Sequence, residues 1–186
     1  MVLNDERIDK NLHKLFDFSK SDTTEEEVRK QINPNSIDLT LDRHIMYPCN
    51  THTVTYGDDM SMYWKYEYYN SDYLVLKPDS YILACTREYV VMPNDICGQL
   101  FTKSTLGRMF VNHMMAGVID AGFEGKITLE LKNDSKNTVR IPFGSRIVQM
   151  VYSQLIEPAK IPYYMKLNKY CFAEKCEPPM KDISYG

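Results

Sequence analysis

Between Thr102 and Leu131 the chain reads TKSTLGRMFVNHMMAGVIDAGFEGKITLEL, its densest cluster of residue types able to do chemistry. Lys103, Ser104, Thr105 and Arg108 put two cations and two hydroxyls within six residues, and Gly107 allows close approach to the backbone. That set suits an anion. A Lys-Ser-Thr turn beside an arginine is nevertheless more often a solvated loop, and the spacing is not that of a phosphate-binding P-loop. Asp120 lies between Ile119 and Ala121, with Gly122 and Gly125 bracketing the next turn, a setting in which aspartate is usually a turn former. Glu130, in KITLELK, shares a strand face with Lys126, Thr128 and Lys132, opposite Ile127, Leu129 and Leu131. By pattern alone that face meets solvent.

Metal chemistry finds no ligand spacing here. His13, His44, His52 and His113 are scattered, and Cys49, Cys85, Cys97, Cys171 and Cys176 form no C-x-x-C pair, so the expectation is reduced thiols and no structural zinc. The elements that must position the cluster are mostly strands. Ile37, Leu39 and Leu41 alternate with Asp38 and Thr40, and the runs YLVL, YILACTREYVVM, ICGQLF, KITLEL, TVRI and RIVQMVYSQL are β-branched, aromatic or alternating. Turn residues at Pro78-Asp79, Pro93-Asn94-Asp95, Asn133-Asp134 and Pro142-Phe143-Gly144 separate them. The spacing predicts an antiparallel β-barrel or sandwich with peripheral helices.

Leu3, Ile8, Leu12, Leu15 and Phe16 predict an amphipathic first helix over residues 3–16. A second, short helix is expected with Thr23 and Glu26 as its capping box and Val28 and Ile32 on its apolar face, before Pro34. Eight aromatics between Arg43 and Tyr73 (Tyr47, Tyr56, Tyr63, Trp64, Tyr66, Tyr68, Tyr69 and Tyr73) read first as a solvent-facing or subunit-facing hairpin without a catalytic role, and second as a surface that stacks on a nucleobase. The stretch from Glu157 lacks periodicity and reads as an extended arm. A single domain follows: N-terminal helices over 1–33, a β core over 34–156 and a C-terminal arm over 157–186.

A chain of 186 residues with 44% hydrophobic and 25% charged residues buries a core of ordinary size, with no room for a second catalytic domain. A net charge of -3 supplies no field for duplex nucleic acid. The charged N-terminus and the lack of a long apolar run predict a cytoplasmic protein that binds no membrane.

Five motifs occur in an order and spacing that resemble the dCTP deaminase family of the dUTPase-like superfamily, from Ile32 to about Leu155. INPNSIDLTL resembles the family's QPASVDLRL, REYVVMPNDICGQL its TLEYVRLPDDLVGRL, and KSTLGR its RSSLAR or RSSLGR; AGVIDAGFEGKITLEL resembles AGFIDPGFEGHITLEL, and PFGSRIVQM resembles PGMKIGQL. The resemblance implies a mainly β fold, a dUTPase-like barrel or distorted jelly roll with short N-terminal helices and an extended C-terminal arm. It makes Glu130 the general base that takes a proton from water attacking cytosine C4, a desolvated carboxylate being the least elaborate activator where no metal serves. Zinc deaminases instead need H-x-E followed by P-C-x-x-C, and neither occurs.

In the same mapping Ser104 orients the water or the base, and Lys103 and Arg108 meet charge near the triphosphate and the catalytic carboxylate, with Thr105 beside them. Asp120 accepts the deoxyribose 3′-hydroxyl. The main chain around Ala116, Thr128 and Leu129 reads the base, Gln149 binds phosphates, and Tyr163 and Lys169 are substrate ligands on the arm. Magnesium arrives on the triphosphate, not in a protein cage. Implied partners are dCTP as substrate, dUTP as product, dTTP as a feedback ligand and two further copies in a homotrimer with sites between subunits. The chain departs from the family at Lys103 (arginine there), at Thr105 (serine there), in an Arg108–Asp120 interval one residue shorter than in some members, and in the arm. There KYCFAEK replaces KYQGQRGPT and the usual glutamine near Ala173 is missing.

The leading expectation is deamination of dCTP to dUTP and ammonia. Gly117 and Val118 keep a second reaction open: plain deaminases of the bacterial type carry a His-Arg pair there, whereas a Gly-Val pair leaves room for a second water at Asp120, giving dUMP and pyrophosphate. A pure dUTPase is a rival, since GVIDAGFEG resembles GVIDSDYRG, but no glycine occurs between Gly144 and Gly186 to build a glycine-rich closing motif. A non-catalytic, nucleotide-sensing trimer is the other.

Overall fold

The computed structural model describes residues 1–49, 53–113, 116–166 and 169–180; His52 and the last six residues of the expected arm lie outside these. The chain opens with α1 (Asp5–Lys10), α2 (Leu12–Leu15) and α3 (Glu25–Arg29). It continues through β1 (Ile32–Asn33), β2 (Ser36–Thr40), β3 (His44–Pro48), β4 (Trp64–Tyr68), β5 (Tyr73–Leu76), β6 (Tyr81–Val91) and β7 (Ile96–Thr102). Then come α4 (Ser104–Arg108), β8 (Val111–His113), β9 (Val118–Ile119), β10 (Glu124–Asn133), β11 (Val139–Pro142), β12 (Arg146–Gln154) and α5 (Tyr163–Lys166).

The fold is the expected mainly β one. One five-stranded sheet runs β1-β2-β12-β7-β9, a second runs β4-β3-β6-β10-β8, and β5 pairs with β11. Ile37, Leu39, Leu100, Val148 and Met150 of the first sheet share one buried cluster with Ile45, Ala84, Val90, Leu129 and Leu131 of the second. At about 25 cal/mol per Å² of apolar surface, this is the dominant favourable term holding the sheets together.

Four details differ from the sequence expectations. The first helix breaks at Asn11, yet Leu3, Ile8, Leu12, Leu15 and Phe16 are all buried, so the apolar periodicity marked a packing face and not one continuous rod. The capping box is Thr24 with Glu27, one residue later than Thr23 with Glu26; Thr24 accepts from the Glu27 N–H and Glu27 reaches back to the Thr24 N–H. Ile32 belongs to β1 and not to the helix face. The polar residues of β2 are buried with the apolar ones, because each finds a partner. Asp38 binds Lys103, and Thr40 donates its backbone N–H and its hydroxyl to Glu88 at 2.9 and 2.7 Å. Glu88 is fully buried, and burial pushes its carboxyl up despite these bonds.

A β-bulge interrupts the pairing of β6 with β10. The register passes from Lys126↔Tyr89 to Thr128↔Cys85, and the Ile127 N–H turns to the Thr86 hydroxyl at 3.0 Å. Beyond it β10 pairs with β8 only over Leu131–Asn133, which leaves its N-terminal half open on that edge.

Candidate active site under the C-terminal arm

The arm takes that open edge. Phe172 donates its N–H to the Glu124 carbonyl at 2.6 Å, the Lys126 N–H reaches the Ala173 carbonyl at 2.7 Å, and the Glu177 N–H reaches the Thr128 hydroxyl at 3.1 Å. Two glycines make the docking possible. Gly122 has φ of 86°, and a Cβ there would lie 2.5 Å from Pro162 Cβ; Gly125 has φ of 148°, and its Cβ would lie 3.1 Å from the Ala173 nitrogen. Among the described residues beyond Glu157, Tyr163–Lys166 forms a helical turn, and Ala173 and Cys176 are buried.

Between the arm and β10 lies a cavity of about 840 Å³. Of the sequence-predicted residues, Ala116, Val118, Asp120, Thr128, Glu130 and Tyr163 line it. The Glu130 face alternates as expected, yet the arm converts it from a solvent face to a cavity wall. Glu130 Oε2 is buried without a hydrogen-bond partner. Burial pushes its carboxyl above the usual range, against the pull of its own N–H and that of Ala116. His113 Nδ1 stands 3.7 Å from Glu130 Oε2, too far for a hydrogen bond, and burial holds the imidazole below its ordinary range and so neutral at pH 7.

The remaining predicted residues lie elsewhere. Ser104, Thr105 and Arg108 form α4, and Lys103 precedes it with Nζ at 2.6 and 2.5 Å from the two oxygens of Asp38. Lys103 is thus already paired, since the buried Asp38 carboxylate requires a counter-ion. Gln149 sits opposite Asp38 in the register of β12 and β2, on the Lys103 side. None of these five lines the cavity, and neither does Lys169. The Leu129 side chain is fully buried in the core, so only its peptide group, the part expected to read the base, can face a ligand. Gly117 also lies outside the lining, and a Cβ there would stand 3.2 Å from the Leu100 carbonyl, so the close approach of β7 is itself a reason for glycine.

Several lining residues escaped the sequence. Trp64, placed on a hairpin without a role, walls the cavity, packs edge-on against Tyr81 at 6.2 Å and keeps a buried, unpartnered Nε1. Phe123, Tyr170 and Glu177 complete that wall. Lys126, assigned to a solvent face, is only 3% exposed and ion-paired with Asp42 at 2.6 Å and with Asp22. Burial draws its pKa down, but the two carboxylates outweigh this and leave it raised. No periodicity marks contacts made across the arm.

Mainly β sheets and an arm closing over a cavity define a class: a β protein with a pocket suited to a small molecule. The comparisons agree with that class and narrow it. The chain belongs to the dCTP deaminase-like family, whose model matches residues 2–155. It is 39% identical over 142 residues to "dCTP deaminase, dUMP-forming" of Bifidobacterium longum (strain DJO10A), covering 74% of this chain and 73% of that protein. It is 34% identical over 165 residues to the protein of the same name from Persephonella marina, covering 88% and 89%. The crystal structure of 2′-deoxycytidine 5′-triphosphate deaminase from Agrobacterium tumefaciens shares the fold with a TM-score of 0.63 at 21% identity; the match covers 81% of this chain and spans 46% of that one.

Proposed function

We propose that the protein hydrolyses dCTP with two waters to dUMP, ammonia and pyrophosphate. The observation that carries the reading is the buried, unpartnered Oε2 of Glu130, its carboxyl pushed up by burial and facing the cavity. Such a group takes a proton from water as the water adds to cytosine C4, and returns protons to the nitrogen that leaves as ammonia. No zinc takes part in this reading, since the sequence lacks the H-x-E and C-x-x-C ligands.

The sequence favoured dUTP as the released product; dUMP is preferred because the relatives at 34–39% identity are named dUMP-forming. In this reading Asp120 accepts the deoxyribose 3′-hydroxyl and orients the second water towards the α-phosphate, and Val118 leaves that water room. Both line the cavity. Magnesium, in this reading, comes with the triphosphate. In this reading Arg108 and Lys103, the latter shared with Asp38, supply the positive charge that meets the phosphates, Gln149 hydrogen-bonds them, and Ser104 orients the water.

Those residues stand outside the lining of the Glu130 cavity, which favours a homotrimer in which α4 of one copy completes the cavity of the next. Phe101, Phe110 and Val118, at 48, 64 and 65% exposure, offer that assembly apolar surface. The site is proposed to lie in the cytoplasm; among the described residues no helix is long and apolar enough to cross a membrane.

The test is the early time course with dCTP and magnesium after exhaustive zinc chelation. Pyrophosphate released in step with ammonia is the expected result. Accumulation of dUTP without pyrophosphate would reduce the reaction to deamination alone, and turnover that vanished with zinc and returned with it would replace the mechanism.

A further inference from the structure

Seven buried side-chain polar atoms lack a hydrogen-bond partner among the described residues, and five of them gather here: Glu130 Oε2, both ring nitrogens of His113, Glu177 Oε2 and Trp64 Nε1. Folded chains rarely leave buried polar groups unpaired, so such a concentration marks where a ligand supplies the partners. Glu130 has its role as base, and His113 stands beside it. Glu177 and Trp64 have none.

Glu177 is held to β10 by its backbone, its N–H donating to the Thr128 hydroxyl, so its side chain takes no part in that latch. Thr128 and Glu130 lie on the same face of β10, two residues or about 7 Å apart. Glu177 and Glu130 thus line the same cavity, with Thr128 between the Glu177 backbone and the Glu130 strand face. Trp64 packs against the small cluster that contains Cys176, the residue before Glu177, so the two unpartnered groups belong to one wall. Burial pushes the Glu177 carboxyl up, with Lys175 opposing, as expected for an oxygen shut away from water.

We propose that Glu177 is a specificity-determining residue, its Oε2 accepting a hydrogen bond from the exocyclic amino group of a cytosine ring seated against Glu130. The proposal rests on the cavity being the cytosine site. An ionised carboxylate only accepts. The amino group at C4 of cytosine donates, whereas the oxygen at C4 of uracil only accepts and meets the carboxylate lone pairs. Glu177 thus admits dCTP and disfavours dUTP competing from solution.

The experiment measures binding of dCTP and of dUTP, each with magnesium, to protein carrying Glu130→Gln so that dCTP is not consumed, with and without Glu177→Gln or Glu177→Leu. A glutamine amide can turn either its NH₂ or its carbonyl to the base. Glu177→Gln is therefore expected to cut the preference for dCTP over dUTP about tenfold or more, the size of a lost charge-assisted hydrogen bond. Glu177→Leu should weaken dCTP more than dUTP. Equal loss for both nucleotides, or no change, would overturn the proposal and leave Glu177 as part of the latch. Ammonia release by the unaltered protein reports separately on the deamination reading; a preference that collapses on substitution supports Glu177 whatever that assay returns.

Discussion

The proposed role of Glu130 as base rests on what surrounds it and not only on its position in a motif. Burial holds its carboxyl above the ordinary glutamate range, so a base at this position would be lost by protonation at a higher pH than an exposed glutamate. The sign follows: kcat/KM should fall as pH drops through that raised value, with the acid limb displaced upward. Glu130→Gln keeps the shape and cannot take a proton, so turnover should fall roughly 10²–10⁴-fold while nucleotide binding persists. Near-normal ammonia release from that variant would remove Glu130 from the mechanism. Lys126 tests a structural residue of the same strand. Lys126→Met leaves Asp42, 5% exposed, without its counter-ion, and should cost about 3–5 kcal/mol in denaturant unfolding. Because the Lys126 pKa is raised on folding, its contribution is fully present below the unfolded value near 10.5 and is lost as pH rises through the folded one.

At the scale of elements, the arm determines whether β10 has a solvent face or a cavity. It docks where two glycines permit backbone approach, so a methyl group at either is a lever on closure. Gly122→Ala combines a positive φ with a clash against Pro162. The expected outcome is an arm cut more readily by protease and a KM for dCTP raised about tenfold or more, since the closed geometry positions the substrate. Unchanged proteolysis together with unchanged KM would show that the arm docks independently of Gly122. The arm's placement was hidden in the sequence for a physical reason. Its contacts are backbone bonds and packing of single side chains, Cys176 among them, and neither produces a periodic signal.

For the whole molecule, the separation of α4 from the Glu130 cavity has a direct consequence. If Arg108 of one copy serves Glu130 of another, Glu130→Gln and Arg108→Ala proteins are each inactive alone but complement when mixed and reassembled. Random association in a cyclic trimer pairs intact Glu130 with intact Arg108 in about one quarter of sites, so activity should recover to roughly that fraction. No recovery after verified exchange would mean that each chain builds its site alone.

By itself the sequence determined the mainly β architecture, the strand runs, the two N-terminal helical segments and the family, because alternation, turn residues and motif order are local properties. It also pointed to Glu130, Asp120, Ala116, Thr128, Val118 and Tyr163, which the fold gathers in one cavity. Only the tertiary structure decided that the Glu130 face is enclosed, that Lys103 is already bound to Asp38, that Lys126 is buried between two aspartates, and that Trp64 and Glu177 share the wall. These are consequences of burial between segments far apart in the chain. Whether a charge is desolvated, and which partner then compensates it, depends on what the fold brings against it and leaves no periodic trace in the residues on either side.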